Sequence, residues 1–257
     1  YASFVFWAGK LEAAEAIRPD LVDGTGSYRH FLFGKGAKRD VNYERFIDND
    51  SSGAKVLKSA SEDARSGALE QHDLILAANP QYFSQCQKTN FSLRTQPVGV
   101  GSDDRYPYPA TENWQKAIGA HIIWMEMDVK AEVFESDEQD LALLLGGPQV
   151  CTAEGATEIK YQRRLEISLT VHMEDRYNFN PGGADMATGA PDSANGRFEL
   201  TGLGNEFLNY GKVTRKFDFT TNLMPGSSVD HTTDDIKLGE GPNTGRPVGS
   251  RGNPAAR

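Results

Sequence analysis

Between residues 172 and 183 the chain reads HMEDRYNFNPGG, which sets an acid, a guanidinium, a phenol and two amides at Asp175, Arg176, Tyr177, Asn178 and Asn180, just before Pro181 and two glycines. Further on, Asp185, Asp192, Asn195, Arg197 and Glu199 fall in the small-residue stretch PGGADMATGAPDSANGRFE. Acids and an arginine on a permissive backbone suit phosphoryl chemistry. A carboxylate takes a proton or holds a divalent ion, and a guanidinium takes up charge on the phosphate. The candidate catalytic groups read from the residues are Asp175, Arg197 and His172, with Asp175 and Asp185 as the carboxylates for a Mg²⁺ ion, while Tyr177 and Asn178 could hydrogen-bond Asp175.

Two alternating segments must carry these groups. HIIWMEMDVKAEVF puts Ile123, Met125, Met127, Val129, Ala131 and Val133 on one face, and RLEISLTVHMED does the same with Leu165, Ile167, Leu169, Val171 and Met173. Period-two alternation predicts strands with one dry face, and the matched lengths predict that 121–134 and 163–174 are antiparallel neighbours. By parity Asp175 falls on the dry side at the strand end, a costly place for a carboxylate unless it is paired, capped or used. The architectural alternative is a cap on the following turn plus an arginine partner. His172 falls on the wet face, where an imidazole could serve as a general base.

The remaining organisation follows the punctuation. Residues 1–110 are expected to be mainly helical: Leu11 to Ile17 stops before Pro19, an aromatic run ends at Gly34 and Gly36, and 51–76 has helical spacing. Residues 77–110, rich in Pro and Gly, are expected to be irregular. Residues 111–222 form the sheet part. A short helix begins after Thr111 as N-cap, GLGNEFLNYG is a second helical piece, and KVTRKFDFTT is a third strand. Residues 223–257 are an extended polar tail. The expected class is α+β, an N-terminal helical part packed on a C-terminal, mainly antiparallel sheet.

Composition narrows the partners. With 36 acidic and 27 basic residues the net charge is −9, which disfavours nucleic acid. No apolar run is long enough for an integral membrane segment. Cys86 and Cys151 have no metal-ligand spacing and leave pairing open. HExxH, GxSxG and GxxxxGK[ST] do not occur, which disfavours the zinc-protease, serine-hydrolase and P-loop mechanisms.

EDRYNFNPGG, following an alternating strand, resembles the D-x-Y-D-F-N segment of the colicin M family, and LTGLGNEFLNYGKVTRKFDF resembles that family's L-T-x-L-G-x-x-F-x-x-G helix and final strand. The resemblance covers roughly residues 160–220. It implies a half-barrel sheet and a secreted antibacterial toxin acting in the periplasm of target bacteria. The implied reaction is hydrolysis of the lipid-linked peptidoglycan precursor between the undecaprenyl chain and its pyrophosphate. Position by position, Asp175 and Tyr177 match the family's catalytic aspartate and tyrosine, and Asn178 stands where the family has a second aspartate. The family's His-Arg pair falls near Gly183 and Ala184 and is absent, so His172, His231 or Arg197 must substitute, or the chemistry differs. The wider pattern of YRHFLFGKGAKR, PYPATENWQKAIGAHIIW and PDSANGRFELTGLG is similar to a domain family of interbacterial toxins that includes type VI secretion effectors. An immunity protein and a secretion apparatus are the implied partners. The competing readings are a non-enzymatic adaptor or binding module, and another cell-wall hydrolase using Asp175 with Glu199 as an acid/base pair.

Overall fold

The computed structural model describes residues 1–83, 87–136, 160–179 and 192–223. Cys86, Cys151, Asp185, His231 and the expected tail lie outside the described residues. The chain is α+β. Helices α1 (Ala2–Ile17), α2 (Val22–Phe33), α3 (Tyr43–Asn49) and α4 (Ser51–Ala78) fill most of its first third, and α5 (Glu112–Ala117) and α6 (Ser193–Thr201) come later. The strands are β1 (Arg39–Asp40), β2 (Lys88–Arg94), β3 (Val98–Val100), β4 (His121–Ser136), β5 (Lys160–Tyr177) and β6 (Phe207–Leu223).

Among the described residues the six strands make one sheet in the order β1-β6-β5-β4-β2, with β3 also on β4. The central pair is the expected one. Antiparallel β4 and β5 match Ile123 with Met173, Met125 with Val171, Met127 with Leu169 and Val129 with Ile167. Each of these eight side chains is at most 2% exposed. At about 1.5–3 kcal/mol for each large apolar side chain fully buried, this stripe fixes the register, because a one-residue slip would turn all of them to water. Helix α4 lies against the stripe through Val56, Ala60, Ala64 and Ala68, whose small side chains let helix and sheet come close.

Two expectations are corrected. Residues 88–94 and 98–100 are not irregular but strands of the same sheet. Lys88–Arg94 alternates, sending Phe91 and Leu93 to the core, and Pro97 merely separates the two strands. The segment GLGNEFLNYG is not helical. Helix α6 ends at Gly202, which takes the left-handed conformation (φ 70°), while Leu203 and Gly204 donate their N–H groups to the Phe198 carbonyl. The chain is already extended from Phe207.

Thr111 does stand at the N-cap of α5, but its side chain does not cap the helix. Its hydroxyl and backbone N–H instead donate to Asp50, which also caps α4 through Ser52 N–H. One buried carboxylate therefore ties the start of α4 to the segment leading into the sheet.

Candidate functional site

Asp175 is carried by β5 on its dry face, next to the last residues of the strand, and is 2% exposed. This is the dry side that its parity predicts, and the carboxylate is enclosed there. Its cross-strand partner on β6 is Asn209, itself fully buried, and the partner of Asn209 on β1 is Arg39. These three side chains share one face and form a chain of hydrogen bonds. Asn209 Nδ2 donates to Asp175 Oδ2 at 3.2 Å and also reaches the Ala117 carbonyl at 3.3 Å. Arg39 Nη1 donates to Asn209 Oδ1 at 3.4 Å and to Ser27 Oγ at 2.6 Å, and the Ser27 hydroxyl donates in turn to the Ala117 carbonyl.

Helix α2, which supplies Ser27, is positioned in turn by α5. Asn113 Oδ1 accepts the N–H groups of Asp23 and Gly24 at the start of α2, and Asn113 Nδ2 donates to Asp23. A single side chain thus satisfies two of the helix's orphan donors from another element. The network therefore couples β5, β6, β1, α2 and the end of α5, and it holds a carboxylate out of water beside an amide donor with a guanidinium one bond further on. Such an arrangement keeps a buried acid satisfied and pre-aims it.

Tyr177 and Asn178 are also brought to this end of β5, at 3% and 1% exposure. The Tyr177 ring stacks on Phe207 at 4.9 Å between centroids and packs with Phe31 and Phe179 in a second hydrophobic cluster. Tyr28, whose hydroxyl donates to Asn195 of α6, has its pKa raised by burial first and by nearby Tyr177 second. The two phenols therefore lie close together, and that of Tyr28 is not readily ionised.

The other candidates go elsewhere. Arg197 is exposed on α6 with its guanidinium 5.5 Å over the Phe198 ring, and among the described residues it makes no ion pair with Asp175. Glu199 accepts the backbone N–H of Phe179 and ties α6 to the end of β5. His172 sits on the opposite face of the sheet, as its parity requires. It stacks on Trp124 at 4.9 Å and bonds Glu126 through Nε2 at 3.1 Å, and its pKa is lowered chiefly by burial. Among the described residues no group of three or more His, Cys, Asp or Glu side chains could hold a metal ion.

Sequence reasoning missed Asn209, Arg39 and Ser27. Asn209 was hidden because its segment was read as helical; extended, the same parity that puts Asp175 on the dry face puts Asn209 beside it.

No helix among the described residues is long and apolar enough to cross a membrane. No protein-family profile matches the sequence, and no curated protein does. Among solved structures the chain is similar to PaeM, a colicin M-like bacteriocin produced by Pseudomonas aeruginosa, at 14% identity and a TM-score of 0.34. The match covers 78% of this chain and 51% of that one, so the chain spans about half the length of the bacteriocin, a likeness too distant to place any residue.

Proposed function

We propose that the chain is an antibacterial toxin that hydrolyses the lipid-linked peptidoglycan precursor in the periplasm of target bacteria, with Asp175 as its principal acidic group. The observation that carries this reading is the Asp175–Asn209–Arg39 chain of hydrogen bonds. The one acid that the sequence resemblance singles out is held by an amide at 3.2 Å, with a cation behind it. In the reaction water adds at the phosphorus next to the polyprenyl oxygen as Asp175 takes its proton, and Asp175 returns that proton to the polyprenyl oxygen as the P–O bond breaks, releasing the polyprenol and the pyrophosphorylated saccharide. Arg39, not Arg197, supplies the supporting positive charge. A Mg²⁺ ion held by Asp175 and Asp185 belongs to the same reading, although Asp185 lies outside the described residues. Delivery by a secretion apparatus and neutralisation by an immunity protein belong to the same reading.

The test is expression of the chain with and without export to the periplasm of a susceptible bacterium. Lysis is expected only with export, and export of Asp175→Asn should be harmless. Toxicity without export, or equal toxicity of the variant, would overturn the reading.

The burial of Asp175 and Tyr177 favours a second reading, in which the network is architectural and the chain is a non-enzymatic binding module. Under it the exported chain is harmless, and Asp175→Asn changes stability alone.

A further inference from the structure

The opposite face of the sheet carries a groove of about 520 Å³ near the point where β1 leaves β6, and its polar wall is built in two rows. Asp40, Tyr210 and Glu174 are cross-strand partners in the first row. Lys212, His172 and Trp124 are cross-strand partners in the second. The rows are two residues apart along the strands, roughly 7 Å at about 3.4 Å per residue. One row is acidic and the other presents an ammonium, an imidazole and an indole N–H.

Three features set this groove apart from an ordinary solvated sheet face. Glu174 is 3% exposed, yet its Oε2 has no hydrogen-bond partner among the described residues. Trp124 is 7% exposed, yet its Nε1 has none either. A buried acceptor atom and a buried donor left unmatched are each destabilising, and both residues line the same groove. Finally, among the described residues Lys212, Asp40 and Glu174 make no ion pair, although opposite charges face the same space. The surroundings are otherwise closed: the Trp124 ring is stacked by His172 on one side, with the Arg94 guanidinium 6.0 Å from its centroid, so the indole is fixed in place. The Tyr210 phenol has its pKa raised by burial and then by the adjacent Glu174 carboxylate.

We propose that this groove is a binding site for a small zwitterion of dipeptide size, with a free amino group and a free carboxylate. Glu174, helped by Asp40, takes the ammonium end. Trp124 Nε1 and the Lys212 ammonium take the carboxylate end. The two ends of an extended dipeptide are separated by roughly 7 Å, the spacing of the rows. The site lies on the far face from Asp175 and stands whether or not the chain is a hydrolase.

Calorimetric titration of the full chain with diglycine, N-acetyl-diglycine, diglycine amide and glucose tests this. Diglycine should bind saturably, and each blocked form should bind at least about tenfold more weakly, as loss of a charge-assisted hydrogen bond implies. Glu174→Gln should weaken diglycine by about tenfold and erase its advantage over the N-acetyl form. Lys212→Met, at an exposed position that does not threaten the fold, should erase the advantage over the amide. Absence of saturable binding by diglycine would overturn the proposal, as would equal binding of the three peptides, binding of glucose in their place, or unchanged binding by both variants.

Discussion

Asn209 faces Asp175 across the β5–β6 ladder and donates its side-chain amide to that carboxylate at 3.2 Å, with both residues at most 2% exposed. The pair joins the edge of the sheet to its centre, since Asn209 is also the parallel partner of Arg39 on β1. Asn209→Leu, close in size and without a donor, leaves the Asp175 carboxylate short of a partner out of water, and should cost about 2–3 kcal/mol of stability. Asn209→Asp sets two buried carboxylates face to face and should cost more at pH 7 than at pH 4. Urea unfolding of the two variants at both pH values checks this.

The positive group behind Asp175 is Arg39, whereas Arg197 is exposed on α6. Arg197→Ala is therefore expected to leave stability within about 0.5 kcal/mol and precursor cleavage unchanged. Arg39→Ala should reduce cleavage by on the order of a hundredfold. The paired rates of the two variants decide which arginine matters.

His72 is fully buried on the sheet-facing side of α4, stacked on Phe91 and adjacent to Arg163, which pairs with Asp73. Burial first, and the Arg163 charge second, lower its pKa from 6.5 to about 4. The folded state then refuses a proton that the unfolded chain accepts below pH 6.5. This part of the stability is full above that value and declines as the pH falls towards about 4, by about 3 kcal/mol at most. The difference in unfolding free energy between pH 7 and pH 4.5 should shrink in His72→Gln.

Gly211 on β6 lies under α3. A Cβ there would come within 2.8 Å of Tyr43 Cβ and 3.0 Å of the Val41 carbonyl. Neither can yield without moving the segment after β1, so Gly211→Ala should cost about 1–3 kcal/mol. Thermal unfolding of that single variant measures it.

How far the sequence reaches depends on which signal an element carries. Strands β4 and β5 were legible as antiparallel neighbours, because Ile123 to Val133 and Leu165 to Met173 alternate without interruption and present dry faces of matched length. Helices α1, α2 and α4 were legible because Pro19 and Gly34 mark two of their ends and apolar residues recur along α4 at helical spacing. Strands β2 and β3 were not, since Pro97, Gly99 and Gly101 outweighed the short alternation around Phe91 and Leu93. At the site the acid was legible and its surroundings were not. Asp175 stood out as a carboxylate on a dry face, but Asn209 is 34 residues away and Arg39 lies beyond a further crossing of the chain. Both reach Asp175 only through tertiary pairing, so Arg197, near in sequence, was taken in their place.

The most direct measurement is cleavage of purified lipid-linked precursor by the full chain and by Asp175→Asn, with the released polyprenol quantified and the unfolding midpoints compared. The account predicts turnover by the parent chain, a loss on the order of a hundredfold or more in the variant, and a folded variant in both preparations. Absence of polyprenol release by the parent chain, or equal release by the two proteins, would contradict it and leave Asp175 an architectural residue.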